Sequence, residues 1–224
     1  MIKPTQASWF VTGTDTGVGK TLVTCALLHA LHNQGSLRVA GMKPVAAGLD
    51  AQGRNDDVEQ LRCASSFAAP YPLVCPYPLR AAIAPHIAAA EEGVVIDLPR
   101  IAEAFSNLLS MADCVVVEGV GGFCVPLGEH YDTADLAVAL DLPLILVVGM
   151  QLGCINHALL SQQAIAARGL KLAGWIANCI DPAMLRQEEN VQSLKQRIAA
   201  PLLGTIPFGA TWQQAASLLR LPEP

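Results

Sequence analysis

The sequence predicts a doubly wound, mainly parallel α/β sheet with helices on both faces, and two observations carry that prediction. Apolar runs of strand length recur along the chain, WFVTG, LRVAGMK, CVVVEG, LPLILVVG, LAGWIAN and LLGTIP, with helical patterns between them. They are apolar nearly throughout, as expected of strands covered on both faces. Directly after the first run comes GTDTGVGKT, Gly13 to Thr21, in the strand, glycine loop, helix order of a phosphate-binding loop. In open sheets of this kind ligands gather beyond the carboxyl ends of the strands. Residues that close the runs are therefore the candidates for chemistry.

Taken in order, WFVTG forms the first strand and Lys20 to Asn33 the first helix. LRVAGMK forms the second strand and ends in Lys43, which Pro44 holds extended. The polar segment that follows, RNDDVEQ included, is expected to be a loop, and the Ala-rich stretch Ala81 to Ala90 is too short for low complexity. CVVVE closes on Glu118, with the flexible GVGG beside it. LPLILVVG leads into GMQLGCINHALL, which opens a helix, and LAGWIAN and LLGTIP complete the sheet.

Apolar residues make up 52% and charged residues 15% of the 224, enough for a sizeable core, and no Pro/Gly/Ser-rich linker splits the chain. Residues 1–224 are expected to form one domain. A formal charge of −5 argues against a nucleic-acid surface and for a small partner. The 7 cysteines contain no CxxC pair, in a chain too large to need disulfide staples, which predicts a reducing cytoplasm. MIKPTQ enters the first strand without the apolar segment of a secretory signal. The longest apolar stretch, Leu142 to Met150, is about half the length a bilayer crossing needs, so no membrane span is expected.

Gly17 and Gly19 allow the tight turn that aims backbone N–H groups at phosphate oxygens. Lys20 would neutralise phosphate charge, Thr21 is placed to ligate Mg²⁺, and the helix beginning there adds its positive end. The spacing is a variant, because Thr14 stands where the usual pattern has its first glycine and Gly13 lies one residue earlier. Glu118 suits Mg²⁺ or its water shell, or else makes a local strand-end hydrogen bond. Asp56 and Asp57 read either as a solvated helix cap or as metal-site acids. Lys43 reads as a surface lysine or as a second cation at the same sheet edge. His86 reads as a packed or capping histidine, and no HExxH-like pair supports a zinc hydrolase. Around Gly153 and Cys154, backbone N–H groups with the Asn156 side chain form a candidate anion site or a plain helix cap.

GTDTGVGKT, GMKPVAAG, RNDD, APHIAAAEEG, VVVEGVGG, VVGMQLGCINHA and AGWIAN occur in this order, from about Phe10 to Phe208. Together they closely resemble the dethiobiotin synthetase family, with VEGxGG and LGCINHA far more specific than the phosphate loop alone. The resemblance implies a P-loop NTPase-like fold and ATP-dependent, Mg²⁺-dependent closure of a cyclic urea on 7,8-diaminononanoate with CO₂ or bicarbonate. A carbamate and a carbamic-phosphoric mixed anhydride are the implied intermediates, and dethiobiotin, ADP and phosphate the products. It implies that Lys43 holds the carbamate and Lys20 the transferring phosphoryl group, with Thr21, Asp57 and Glu118 as magnesium positions. The implied ATP contacts are Thr16, Gly17, Val18, Gly19, Lys20, Thr21, Leu22, Asp57, Glu118, Gly119, Val120 and Gly121. Asn178, at the adenine position, Cys179, Pro207, Phe208 and Gly209 complete that set. Lys43, Ala47, Gly153, Cys154 and Asn156 are the implied substrate residues, the last three reaching the site of the neighbouring subunit of a homodimer.

Two positions depart from the family pattern. Gly17 stands where some members have Glu, and Ala47 where a serine hydroxyl is expected near the diamine. The alternative is a partner-switching ATPase of the deviant P-loop group. That group carries an additional lysine early in the loop, where this chain has Asp15, and often a basic amphipathic helix, whereas TWQQAASLLRLPEP has one basic residue. An amide-forming ligase with an appended glutaminase domain has no room in this length.

Overall fold

A computed structural model describes residues 8–35 and 37–222. MIKPTQ and the last two residues of TWQQAASLLRLPEP lie outside the described residues. The elements run β1 (Trp9–Gly13), α1 (Lys20–Gly35), β2 (Val39–Met42), β3 (Val45–Ala47), α2 (Asp56–Ala64), α3 (Tyr71–Val74), β4 (Tyr77–Leu79), α4 (Pro85–Glu91) and α5 (Leu98–Met111). Then come β5 (Cys114–Glu118), α6 (Thr133–Leu140), β6 (Leu144–Met150), α7 (Cys154–Ala167), β7 (Leu172–Cys179), α8 (Gln187–Arg197), β8 (Leu202–Ile206) and α9 (Trp212–Leu218).

Among the described residues six strands form one sheet in the order β2-β5-β1-β6-β7-β8, every pairing parallel. β6 shows why its run is apolar throughout, since successive side chains point to opposite faces and both are covered. Leu146, Val148 and Met150 pack with Trp175 of β7 and Leu194 of α8. Ile145 and Val147, on the other face, pack with Leu27 of α1 and Ala215 of α9. The expected doubly wound sheet with helices on both faces is the observed architecture.

The polar segment expected as a loop is instead partly ordered. Asn55 takes extended dihedrals and its side chain accepts from the Val58 N–H, which starts α2 at Asp56. RNDDVEQ is thus a capped helix start, and Asn55 is the cap. A second, two-stranded parallel sheet joins β3 to β4 and raises a wall beside the carboxyl end of β2.

Candidate active site

The chain leaves β1 at Gly13, and the next N–H, that of Thr14, donates to the Val147 carbonyl of β6 at 3.0 Å. Gly19 turns at φ 88°, and a Cβ there would lie 2.1 Å from Nδ2 of Asn178, so no other residue fits. Gly17 also has positive φ, but a Cβ there faces open space. The departure from Glu therefore leaves no hole in the packing. Lys20 is buried, and its Nζ donates to the Asp15 carbonyl of its own loop at 2.9 Å. Burial, helped by the nearby Lys43 charge, lowers the Lys20 pKa to about 8.

Opposite the loop, β5 ends in Glu118, which is 1% exposed. Its Oε1 accepts from Thr21 Oγ1 at 2.9 Å and from Lys43 Nζ at 2.5 Å. The Lys43 ammonium also lies 3.1 Å from Asp57 Oδ2 and donates to the Gly119 carbonyl at 3.3 Å. Burial opposes the Lys43 charge, but Glu118 and Asp57 outweigh it and hold the pKa above the ordinary lysine value. Burial likewise works against the Asp57 carboxylate, yet the Lys43 charge beside it holds its pKa below the ordinary value. Glu118 Oε2 is buried and accepts no hydrogen bond from any described residue. A hydroxyl and two carboxylates, one of them with an unpartnered oxygen, form an all-oxygen set that fits a hard divalent cation. The Lys43 ammonium spans these same two carboxylates.

These groups meet at one cavity of about 700 Å³, lined by Thr16, Gly17, Gly19, Lys20, Thr21, Lys43, Ala47, Asp57, Glu118, Val120 and Gly121. Its remaining wall, Ala82 to Pro85 with Val125, was given no site role from the sequence, although APHIAAAEEG begins within it. Pro85 at the first turn of α4 was the available signal. A larger hollow of about 840 Å³ lies at the amino ends of β7 and β8, among Leu172, Leu202 and Arg220, and contains none of the site residues.

The other expected residues stand outside the cavity lining. Val18 is buried beneath the loop, and Leu22 is half-buried in the first turn of α1. Asn178 and Cys179 close β7, and Asn178 Nδ2 donates to the Val18 carbonyl at 2.8 Å, a bond the sequence did not disclose. Pro207, Phe208 and Gly209 follow β8 and are exposed. Gly153 and Asn156 are exposed at the start of α7. Cys154 was expected to offer its backbone N–H to an anion, but that N–H already donates to the Gln151 carbonyl at 3.0 Å. Cys154 itself is buried.

A glycine loop after the first strand of a parallel sheet, with a buried lysine, a helix-start threonine and a strand-end carboxylate, defines a P-loop nucleotide-binding protein. Solved structures agree at the level of fold. The MinC:MinD cell division protein complex of Aquifex aeolicus matches with TM-score 0.58 and 15% identity, covering 94% of this chain and 86% of that one. The signal recognition particle receptor FtsY of Elizabethkingia anophelis with GDP matches with TM-score 0.57 and 16% identity, covering 96% and 60%. A family model described as an AAA domain matches residues 7–215. The ATP-dependent dethiobiotin synthetase BioD of Aromatoleum aromaticum is 60% identical over 220 residues, spanning 96% of this chain and 97% of the relative. The protein of the same name from Ralstonia nicotianae is 54% identical over 207 residues, spanning 91% and 90%. The chain belongs to the dethiobiotin synthetase family.

Proposed function

We propose that this chain closes the cyclic urea of dethiobiotin on 7,8-diaminononanoate, consuming CO₂ and ATP and releasing ADP and phosphate. The observation that carries the proposal is the convergence of Lys20, Lys43, Thr21, Asp57 and Glu118 on one cavity. The reaction needs one cation for the phosphoryl group and another for a carbamate, and the site supplies two lysines on separate elements. A substrate amine captures CO₂ as a carbamate, the γ-phosphate activates it as a mixed anhydride, and the second amine displaces phosphate. Lys20 leaves the Asp15 carbonyl to meet phosphoryl oxygens, and its charge acts where negative charge grows. Lys43, at the end of β2 with its N–H on the Val74 carbonyl, faces the carbamate.

Thr21, Asp57 and Glu118 would hold Mg²⁺, which would supply neutralising charge to the nucleotide phosphates. Ala47 lines the cavity with a methyl group where the family pattern has a hydroxyl, so a backbone group or water makes that contact. The exposed start of α7 holds the far carboxylate of the substrate in a partner subunit's cavity, with Asn156 as its side-chain donor. This makes the active form a homodimer. Residues 1–224 act as one domain in the cytoplasm. The partner-switching alternative is not favoured, because the solved-structure likenesses carry fold only and the relatives at 60% and 54% identity are synthetases by name.

The test is mass spectrometry after incubation with the diamine, ¹³C-bicarbonate and MgATP. Label in a cyclic urea, with one ADP per product, is expected. ADP release that ignores the diamine, with no labelled product, would overturn the proposal.

A further inference from the structure

We infer that Asn178 is a positioning residue for the phosphate loop, and that its amide sets the direction of the Gly19 N–H toward the nucleotide phosphates. β7 alternates its side chains, with Trp175, Ala177 and Cys179 on the face covered by α8 and Ile176 on the face covered by α1. Asn178 therefore emerges beneath the loop that precedes α1. It is only 5% exposed, and its Nδ2 donates to the Val18 carbonyl at 2.8 Å across 160 residues of sequence. The Val18 carbonyl and the Gly19 N–H belong to one planar trans peptide, and no peptide bond among the described residues is cis. Fixing the oxygen on Asn178 therefore fixes the N–H in the opposite direction. Gly19 lines the cavity.

One further contact holds the same peptide, and the fit around Asn178 is close. The Val18 side chain rests on β6 at Gly149, where a Cβ would lie 2.8 Å from Val18 Cγ1. Gly19 itself lies so close to the Asn178 amide that any side chain at position 19 would collide with it. A bare glycine loop samples many conformations, and orienting its donors in advance removes that ordering cost from phosphate binding. One side chain thus joins the carboxyl end of β7 to the loop proposed to grip phosphate.

The probe that isolates this role is inorganic tripolyphosphate with Mg²⁺, which has phosphates and no base. Calorimetry should show tripolyphosphate and ATP both weakened about tenfold in Asn178→Ala, the effect of one hydrogen bond, and weakened further in Asn178→Asp, whose carboxylate also repels phosphate. The aspartate is nearly isosteric but has no N–H to donate. At saturating ATP, kcat should fall as well as KM rise. Glycine-selective ¹⁵N labelling of the wild type should show the Gly19 amide signal moving on addition of tripolyphosphate, a measurement that needs no variant. Unchanged tripolyphosphate affinity alongside weakened ATP would overturn the inference and leave Asn178 as a base contact only. A motionless Gly19 signal would overturn it too. The inference rests on the nucleotide-binding part of the proposed function, and the two fail separately, because the labelled-bicarbonate experiment decides the reaction without reference to Asn178.

Discussion

Lys43 sits where two negative groups need a cation, which gives it two separable duties. Breaking a largely buried pair by removing one partner strands the other, at a cost of about 3 kcal/mol. Lys43→Met should therefore lower the melting temperature of the metal-free protein by about 6–12 °C. The same substitution removes a competitor for Glu118 and Asp57, so Mn²⁺ binding without nucleotide, followed by electron paramagnetic resonance, should tighten about tenfold. Lys20→Met is the control, because Lys20 donates to the Asp15 carbonyl and to neither acid. Equal tightening in both variants would mean a general field effect. Lys20 carries its own signature, since burial brings its pKa to about 8 in the empty chain and phosphate raises it. Nucleotide binding near pH 8.5 should then take up protons, seen as a heat that varies with buffer ionisation enthalpy. The uptake should vanish near pH 6.5, where Lys20 is already charged, and in Lys20→Met. Lys20, Thr21, Lys43 and Glu118 were legible because each closes or opens an element with a strong local pattern.

Among the elements, α2 links stability to the site, because the residue that starts it also ties down the chain before it. Asn55 accepts from the Val58 N–H, and its Nδ2 donates to the Gly48 carbonyl at 2.8 Å. Asn55→Ala should cost about 1–2 kcal/mol and lower the melting temperature by about 2–8 °C. It should also weaken Mg²⁺ binding, because Asp57 lies in the first turn of the helix that Asn55 caps. A variant with lowered melting temperature and unchanged magnesium affinity would separate the cap from the metal site. The β1, β5 and β6 runs could be read from sequence because both of their faces are buried. β3 and β4 could not, having three residues each, which is too short for any period to show. α2 was read only as a helix cap at Asp56 and Asp57, and its length was missed because its apolar face is confined to Val58, Leu61 and Ala64 among charged neighbours.

At the scale of the whole molecule, the site is incomplete in one copy if the start of α7 serves a neighbour. Mixing Lys43→Ala chains with Asn156→Ala chains should restore activity to about a quarter of wild type. Half the dimers in a random mixture are mixed, and each mixed dimer has one intact site. No recovery, or a fully active monomer by light scattering at assay concentration, would end the shared-site proposal. The Asn178 bond to Val18 was the part of the site least legible in sequence, since it joins residues 160 positions apart that no local pattern connects. The strand order has a temporal counterpart. β1 lies between β5 and β6, so β1 waits for Cys114–Glu118 before its first edge is paired and for Leu144–Met150 before both are. At ribosomal rates of about 5–20 residues per second, the chain needs roughly 10–35 s to reach Asn178. Until then the glycine loop emerges without the neighbours that shape it, so nucleotide can stabilise the finished protein but cannot template the early stages of its folding.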